Sequence, residues 1–236
     1  MNRNVDNQKH STPSQYPRQP IFNLPGIVRV FIAICVLIHG SRQSLLTPEQ
    51  NILVIFYGSF IPARYAPFNC FEFVPVTSTV TYSFLHGSFS HLLNNCLWLA
   101  VFGSPLANTI GPMRFVIFWM VCAMTAALFH YFAQPADVTP MIGASGAIAG
   151  LMGAAARFGF STNRQIGTSR FIDRLPSLTS LVANRSVLTF LAIFLATNLL
   201  IGSGQFNGLE TSIAWQAHIG GIIAGFLFIP LFLPSK

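Results

Sequence analysis

Charge is what this 236-residue chain has least of: 13 Lys and Arg with 6 Asp and Glu make up 8% of it, where a soluble domain carries about 25%. Nineteen charges cannot cover a 25.9 kDa body with a water-facing surface. A soluble monomeric domain is excluded, and a mean hydropathy of +0.57 agrees. The deficit is also local. Between Glu72 and Arg114 there is no charge at all, Asp137 alone breaks the run from Arg114 to Arg157, and Glu210 alone breaks the run from Arg185 to Lys236. A helix crossing the hydrocarbon takes about 20 residues, so each gap has room for two.

Other absences narrow the chemistry. The four cysteines, Cys35, Cys70, Cys96 and Cys122, form no C-x-x-C pair and no disulfide framework, and read as small apolar packing residues. No glutamate stands beside a histidine pair in an H-E-x-x-H arrangement. The apolar stretches hold no pair of aspartates for an aspartyl site, and glycine-rich phosphate loops are missing. Residues 143–147 do not satisfy the G-x-S-x-G elbow of α/β-hydrolases, because Ala147 follows Gly146. Alternating ten-residue strands of a membrane β-barrel are absent too. No metal and no cofactor is expected.

What is present is an all-α membrane protein. The apolar runs predict six helices, at 26–40, 90–106, 113–132, 143–156, 186–202 and 213–233. Residues 1–23 are polar and Pro-rich, without the apolar core of a signal peptide, and are expected to be a flexible cytoplasmic tail ahead of one domain, 24–236. Residues 41–80 mix apolar stretches with Pro62, Arg64 and Pro67, and read as a re-entrant or interfacial first loop. Residues 157–185 form a basic connector with five arginines. Lys and Arg favour the cytoplasmic side. With the N-terminus inside, eleven of the thirteen fall in cytoplasmic segments and only Arg42 and Arg64 outside, which points to six crossings, N-in and C-in. The net charge of +7 is thereby explained by topology, without a nucleic-acid partner. Oligomeric state is left open.

Polar residues among apolar helices are costly and tend to be functional. Ser145, His218 and the group His86, His91, Asn94 and Asn95 are of this kind; His39 and His130, near helix ends, read as interfacial. Ser145 lies twelve residues before Arg157, about 18 Å above it along a helix and so about 12 Å below the outer surface of a core about 30 Å thick. His218, on the inward-running sixth helix, falls about 8 Å deep. His91 and Asn95 stand one turn apart near the outer end of the second helix. Glycines 143, 146, 150 and 153 on the fourth helix and 220, 221 and 225 on the sixth let backbones approach closely in lipid. A serine hydroxyl then comes within reach of a neutral imidazole, the arrangement that activates a serine nucleophile. No carboxylate lies at this depth, so something other than an aspartate must orient His218.

Three motifs carry a resemblance: His86-Gly87-Ser88-Phe89-Ser90-His91-Leu92-Leu93-Asn94-Asn95, Gly143-Ala144-Ser145-Gly146, and Ala217-His218-Ile219-Gly220-Gly221. In this order the chain resembles the rhomboid intramembrane serine proteases over about 25–233. The resemblance implies a six-transmembrane-helix rhomboid-like bundle and a serine endopeptidase of transmembrane protein substrates in the lipid bilayer, in a bacterial cell the inner membrane. It further implies Ser145 as nucleophile and His218 as general base. Asn95, His91 and the Ser145 backbone would make the oxyanion hole, with His86 and Gly143 in support, and the fifth helix would border the path of the substrate. Two departures stand out. The family's aromatic residue four positions after the nucleophile is Ala149 here, leaving Phe190 or Phe194 to fill the space, and the first loop has no tryptophan beside Arg64. If the missing ring loosens His218, Ala149→Phe is expected to raise turnover. The rival readings are a non-catalytic rhomboid-like protein that binds membrane helices and a transporter or channel subunit; the halves show no inverted repeat to support the second.

Overall fold

The computed structural model describes residues 24–65, 73–165, 168–172, 174–202 and 214–234. The expected tail, Cys70, Glu72, Glu210 and the start of the sixth helix at Ile213 lie outside them. The fold is mainly helical. Helix α1 spans Gly26–Ser44, α2 Pro48–Gly58, α3 Phe73–Thr81, α4 Phe89–Trp98, α5 Ser104–Ile110, α6 Pro112–Ala133 and α7 Ser145–Arg157. After a hairpin of β1 (Thr162–Gln165) and β2 (Thr168–Phe171) come α8 (Leu178–Val182), α9 (Arg185–Gly202) and α10 (Trp215–Phe228). Among the described residues, three helical stretches are long and apolar enough to cross a membrane: Gly26–Ser44, Pro112–Ala133 and Trp215–Phe232, the last continuing α10 through a 3-10 turn. Arg185–Leu200 is shorter and also apolar.

Several expectations need correction. Residues 41–80, expected as a re-entrant or interfacial loop, include α2, capped by Thr47 and Gln50 in a reciprocal capping box with Pro48 in the first turn, and α3, elements that reading did not name. The second expected helix does not stop at 106, because α4 passes through one turn of π-helix, Leu99–Gly103, into α5. Helix α7 starts at Ser145, leaving Gly143 and Ala144 outside it. The all-α reading misses the antiparallel β1–β2 hairpin, which pairs Thr162 with Phe171 and is tied to α5 by the Phe171 N–H donating to Thr109 Oγ1 at 2.8 Å.

Helices α6, α7 and α10 form the centre of the bundle. Eleven of the thirteen residues of α7 are buried, all of them Gly, Ala, Leu, Ile or Met. Its seam with α10 has almost no side chain in it. A Cβ added to Gly221 would collide with the Gly146 carbonyl, and one added to Gly225 with the Gly150 carbonyl. Without a hydrophobic driving force between helices in lipid, such close van der Waals approach is what holds them together. Around this seam, Phe31 packs edge-on against Phe115 and Trp119 at centroid distances of 5.7 and 5.1 Å. Phe60 and Met141 exchange backbone hydrogen bonds of 2.9 and 3.1 Å, strapping the first loop to the segment that leads into α7.

Candidate active site

Ser145 is the first residue of α7, one residue after the N-cap Ala144. The first intrahelical bond is donated by the Ile148 N–H to the Ala144 carbonyl at 2.9 Å, so the N–H groups of Ser145, Gly146 and Ala147 precede the helical ladder and have no acceptor within it. His218 lies in the first turn of α10. The glycine seam sets the two helices so close that His218 Nε2 stands 2.8 Å from Ser145 Oγ. That is a hydrogen bond between a hydroxyl and an imidazole, at the distance a general base needs.

Gly143 shapes the approach to Ser145. Its φ of +128° lies where side chains are rarely tolerated, and a Cβ there would sit 2.7 Å from His91 Nε2 and 3.7 Å from Ser145 Oγ. The His91 ring and the Ser145 hydroxyl thus border one small space that only a glycine leaves open. The Gly143 N–H donates to the Tyr82 carbonyl at 3.0 Å. The Tyr82 hydroxyl in turn donates to the Ala123 carbonyl of α6 at 2.9 Å, fixing the turn against the bundle.

The other residues singled out from sequence fall around this space. The His91 N–H donates to Ser88 Oγ, the N-cap of α4, at 3.2 Å. Asn95 is buried, and one hydrogen of its amide is donated to the His91 carbonyl at 3.0 Å; the second remains for another acceptor. Asn94 is exposed. The His86 side chain is fully enclosed, with its ring 5.2 Å from that of His91 in an edge-to-face arrangement. Its carbonyl accepts from Arg42 Nη1 at 2.9 Å and lies 3.2 Å from His39 Nδ1. His39 and His130 are buried within the bundle: His39 packs on the His86 backbone, and His130 Nε2 meets Asp137 Oδ2 at 3.4 Å. Arg64 has an aromatic partner in place of the missing tryptophan, its guanidinium 4.7 Å from the Phe56 ring centroid and donating to the Phe56 carbonyl at 2.8 Å. Among the described residues no group of three His, Cys, Asp or Glu side chains is placed to share a metal ion.

One residue of the site is missing from the sequence reading. Asn198, on α9, places Oδ1 2.5 Å from His218 Nδ1, the nitrogen turned away from Ser145. Phe194, one turn earlier, lies 6.5 Å from the imidazole, centroid to centroid, and tilted by 59°, while Phe190 packs on Phe102 and Phe160 instead. The available signal was the one already applied to Ser145 and His218, a polar residue inside an apolar helix.

Comparison with known proteins points the same way. The chain is 31% identical over 145 residues to Rhomboid-like protease 5 of Toxoplasma gondii, covering 61% of this chain and 15% of that protein. It is 26% identical over 157 residues to the putative rhomboid protease YdcA of Bacillus subtilis, covering 66% of this chain and 67% of that one. Against the rhomboid protease GlpG of Serratia proteamaculans the identity is 27%, over 66% of this chain and 48% of that protein. The chain thus spans about half the length of this GlpG relative and a much smaller part of the Toxoplasma protein. A family model described as Rhomboid domain matches residues 75–235, which hold all three motifs and the helices that meet at Ser145 and His218; the chain is an integral membrane protein of the rhomboid family.

Proposed function

We propose that the protein is an intramembrane serine endopeptidase that cleaves transmembrane protein substrates with Ser145 and His218. The observation that carries this reading is the 2.8 Å contact between Ser145 Oγ and His218 Nε2 across two glycine-seamed helices. In the first step His218 Nε2 takes the Ser145 hydroxyl proton while Oγ attacks the scissile carbonyl. The developing oxyanion lies against the Ser145 N–H at the start of α7, the free amide hydrogen of Asn95 and the His91 ring; each donor is preorganised, so little reorganisation opposes its stabilising effect. The imidazolium then protonates the departing amine, leaving an acyl ester on Ser145. Water, deprotonated by His218, hydrolyses that ester and returns both residues to their starting state. Gly143 keeps the space beside Oγ open, and His86 supports His91 from behind.

The same reading places the chain in six crossings with both termini in the cytoplasm, and in a bacterial cell in the inner membrane. Lys and Arg distribution supports the topology, and the relatives from Bacillus and Serratia are bacterial proteins. A fluorophosphonate probe tests the chemistry. The full chain in lipid should acquire one covalent adduct, mapped to Ser145 and absent in Ser145→Ala. No adduct on folded protein would favour the alternative, a rhomboid-like protein that binds membrane helices without cutting them.

A further inference from the structure

His218 has two ring nitrogens, and the cycle above uses only Nε2. For Nε2 to accept the serine proton it must be the unprotonated one, which requires the ring proton to sit on Nδ1. In water the two tautomers interconvert, so an enzyme of this kind needs a group that holds the proton on the far side. The dyad alone has no such group, and Ala149 offers no ring to lock the imidazole plane.

Asn198 meets the requirement. Its Nδ2 donates to the Phe194 carbonyl at 2.7 Å, and this engagement settles which way the amide faces: Oδ1, an acceptor only, is turned to His218 Nδ1. An acceptor there compels an N–H on Nδ1. Asn198 is 7% exposed and belongs to the row Val187, Phe190, Leu191, Phe194 and Asn198, which faces the bundle while the residues between them are exposed. Its side chain is thus held at both ends. From this geometry we infer that Asn198 is a positioning residue that fixes the tautomer and ring plane of His218, completing a Ser145–His218–Asn198 relay drawn from α7, α10 and α9. The inference rests on the serine endopeptidase reading. It also accounts for a site in which, among the described residues, no carboxylate partners His218. An amide oxygen supports both the neutral ring and the imidazolium, without the large penalty of burying an anion among apolar helices.

The experiment compares Asn198→Ala and Asn198→Asp with the parent chain, full length and in liposomes, using a transmembrane reporter over a range of pH. Asn198→Ala should lower kcat by about 10- to 100-fold with KM changed less than about threefold. Asn198→Asp keeps an acceptor in place and should regain much of that loss. Its carboxylate favours the imidazolium, so the limb on which the base becomes neutral should move to higher pH. The other titratable group acting on His218, His91 on α4, is the same in all three chains. Nitrogen-15 spectra of labelled histidine supply a readout independent of turnover: one Nδ1–H tautomer in the parent, lost in Asn198→Ala. A kcat for Asn198→Ala within about twofold of the parent, or an Nε2–H tautomer in the parent, overturns the inference. So does a loss that Asp does not regain and that tracks a lowered melting temperature. If the parent neither cleaves nor labels yet shows the Asn198-dependent tautomer, the endopeptidase reading fails and the positioning role stands.

Discussion

Gly221→Ala is the substitution that most sharply separates a packed helix pair from a working site. Gly221 is one turn past His218 on α10, and a Cβ there collides with the backbone carbonyl of Gly146, with the Ala149 Cβ a further 3.1 Å neighbour. Neither helix can yield by turning a side chain aside, because the atom in the way is main chain. Helix α10 must move outward by about 1 Å to restore van der Waals distance, a shift of the size that costs about 100-fold in rate when it misplaces a catalytic group. The His218–Ser145 contact of 2.8 Å would open to about 3.8 Å, beyond hydrogen-bonding reach. Overpacking of this kind costs about 1–3 kcal/mol, which the three-helix centre should survive. The expected result is a folded protein with a modestly lowered melting temperature and a fluorophosphonate labelling rate down by about 100-fold. Labelling at the parent rate in well-folded Gly221→Ala would refute the claim that the glycine seam sets the distance between nucleophile and base.

Two further substitutions probe the neighbourhood. Gly143→Ala introduces a Cβ 2.7 Å from His91 Nε2 at a φ of +128° and should lower kcat by about 10- to 100-fold; in a His91→Ala background the added loss should shrink, since the two residues share the clash, and a double-mutant cycle in a reporter assay measures it. Ala149→Phe, which the sequence suggests as a gain, forces a ring into the α7–α10 seam, where Ala149 is buried and its Cβ already neighbours Gly221; such overpacking should cost about 1–3 kcal/mol and lower turnover, which thermal unfolding and steady-state kinetics of the variant check.

Much of the site is legible from residue type and spacing because the membrane simplifies the problem. Where almost everything is apolar, Ser145 and His218 stand out, and counting residues from Arg157 and Ile213 puts them in one layer. The glycine rows are equally readable, since only close approach explains so many small residues on two helices. Asn198 escaped because a single polar residue in a long apolar helix gains meaning only when its face is known, and helical phase relative to α10 is a property of packing. Gly143 reads as one more helical glycine in a Gly- and Ala-rich run, and its positive φ appears only once the turn closes against Tyr82. The β1–β2 hairpin carries no alternating apolar pattern, because its anchoring comes from Thr109, Asn108 and the stacking of Phe158 on Phe171 at 4.7 Å. In the first loop the Thr47–Gln50 capping box announces α2, a signal that the loop's mixed composition hides.

The central claim is that a hydroxyl on α7 and an imidazole on α10 cut peptide bonds of membrane-spanning substrates. Purified full-length protein, reconstituted in liposomes with a panel of single-span reporters, tests it directly, with product termini read by mass spectrometry. The account predicts cleavage within or beside the reporter's membrane segment, abolished in both Ser145→Ala and His218→Ala. Cleavage that persists in Ser145→Ala, or its absence from folded, reconstituted parent protein across the whole panel, would contradict it.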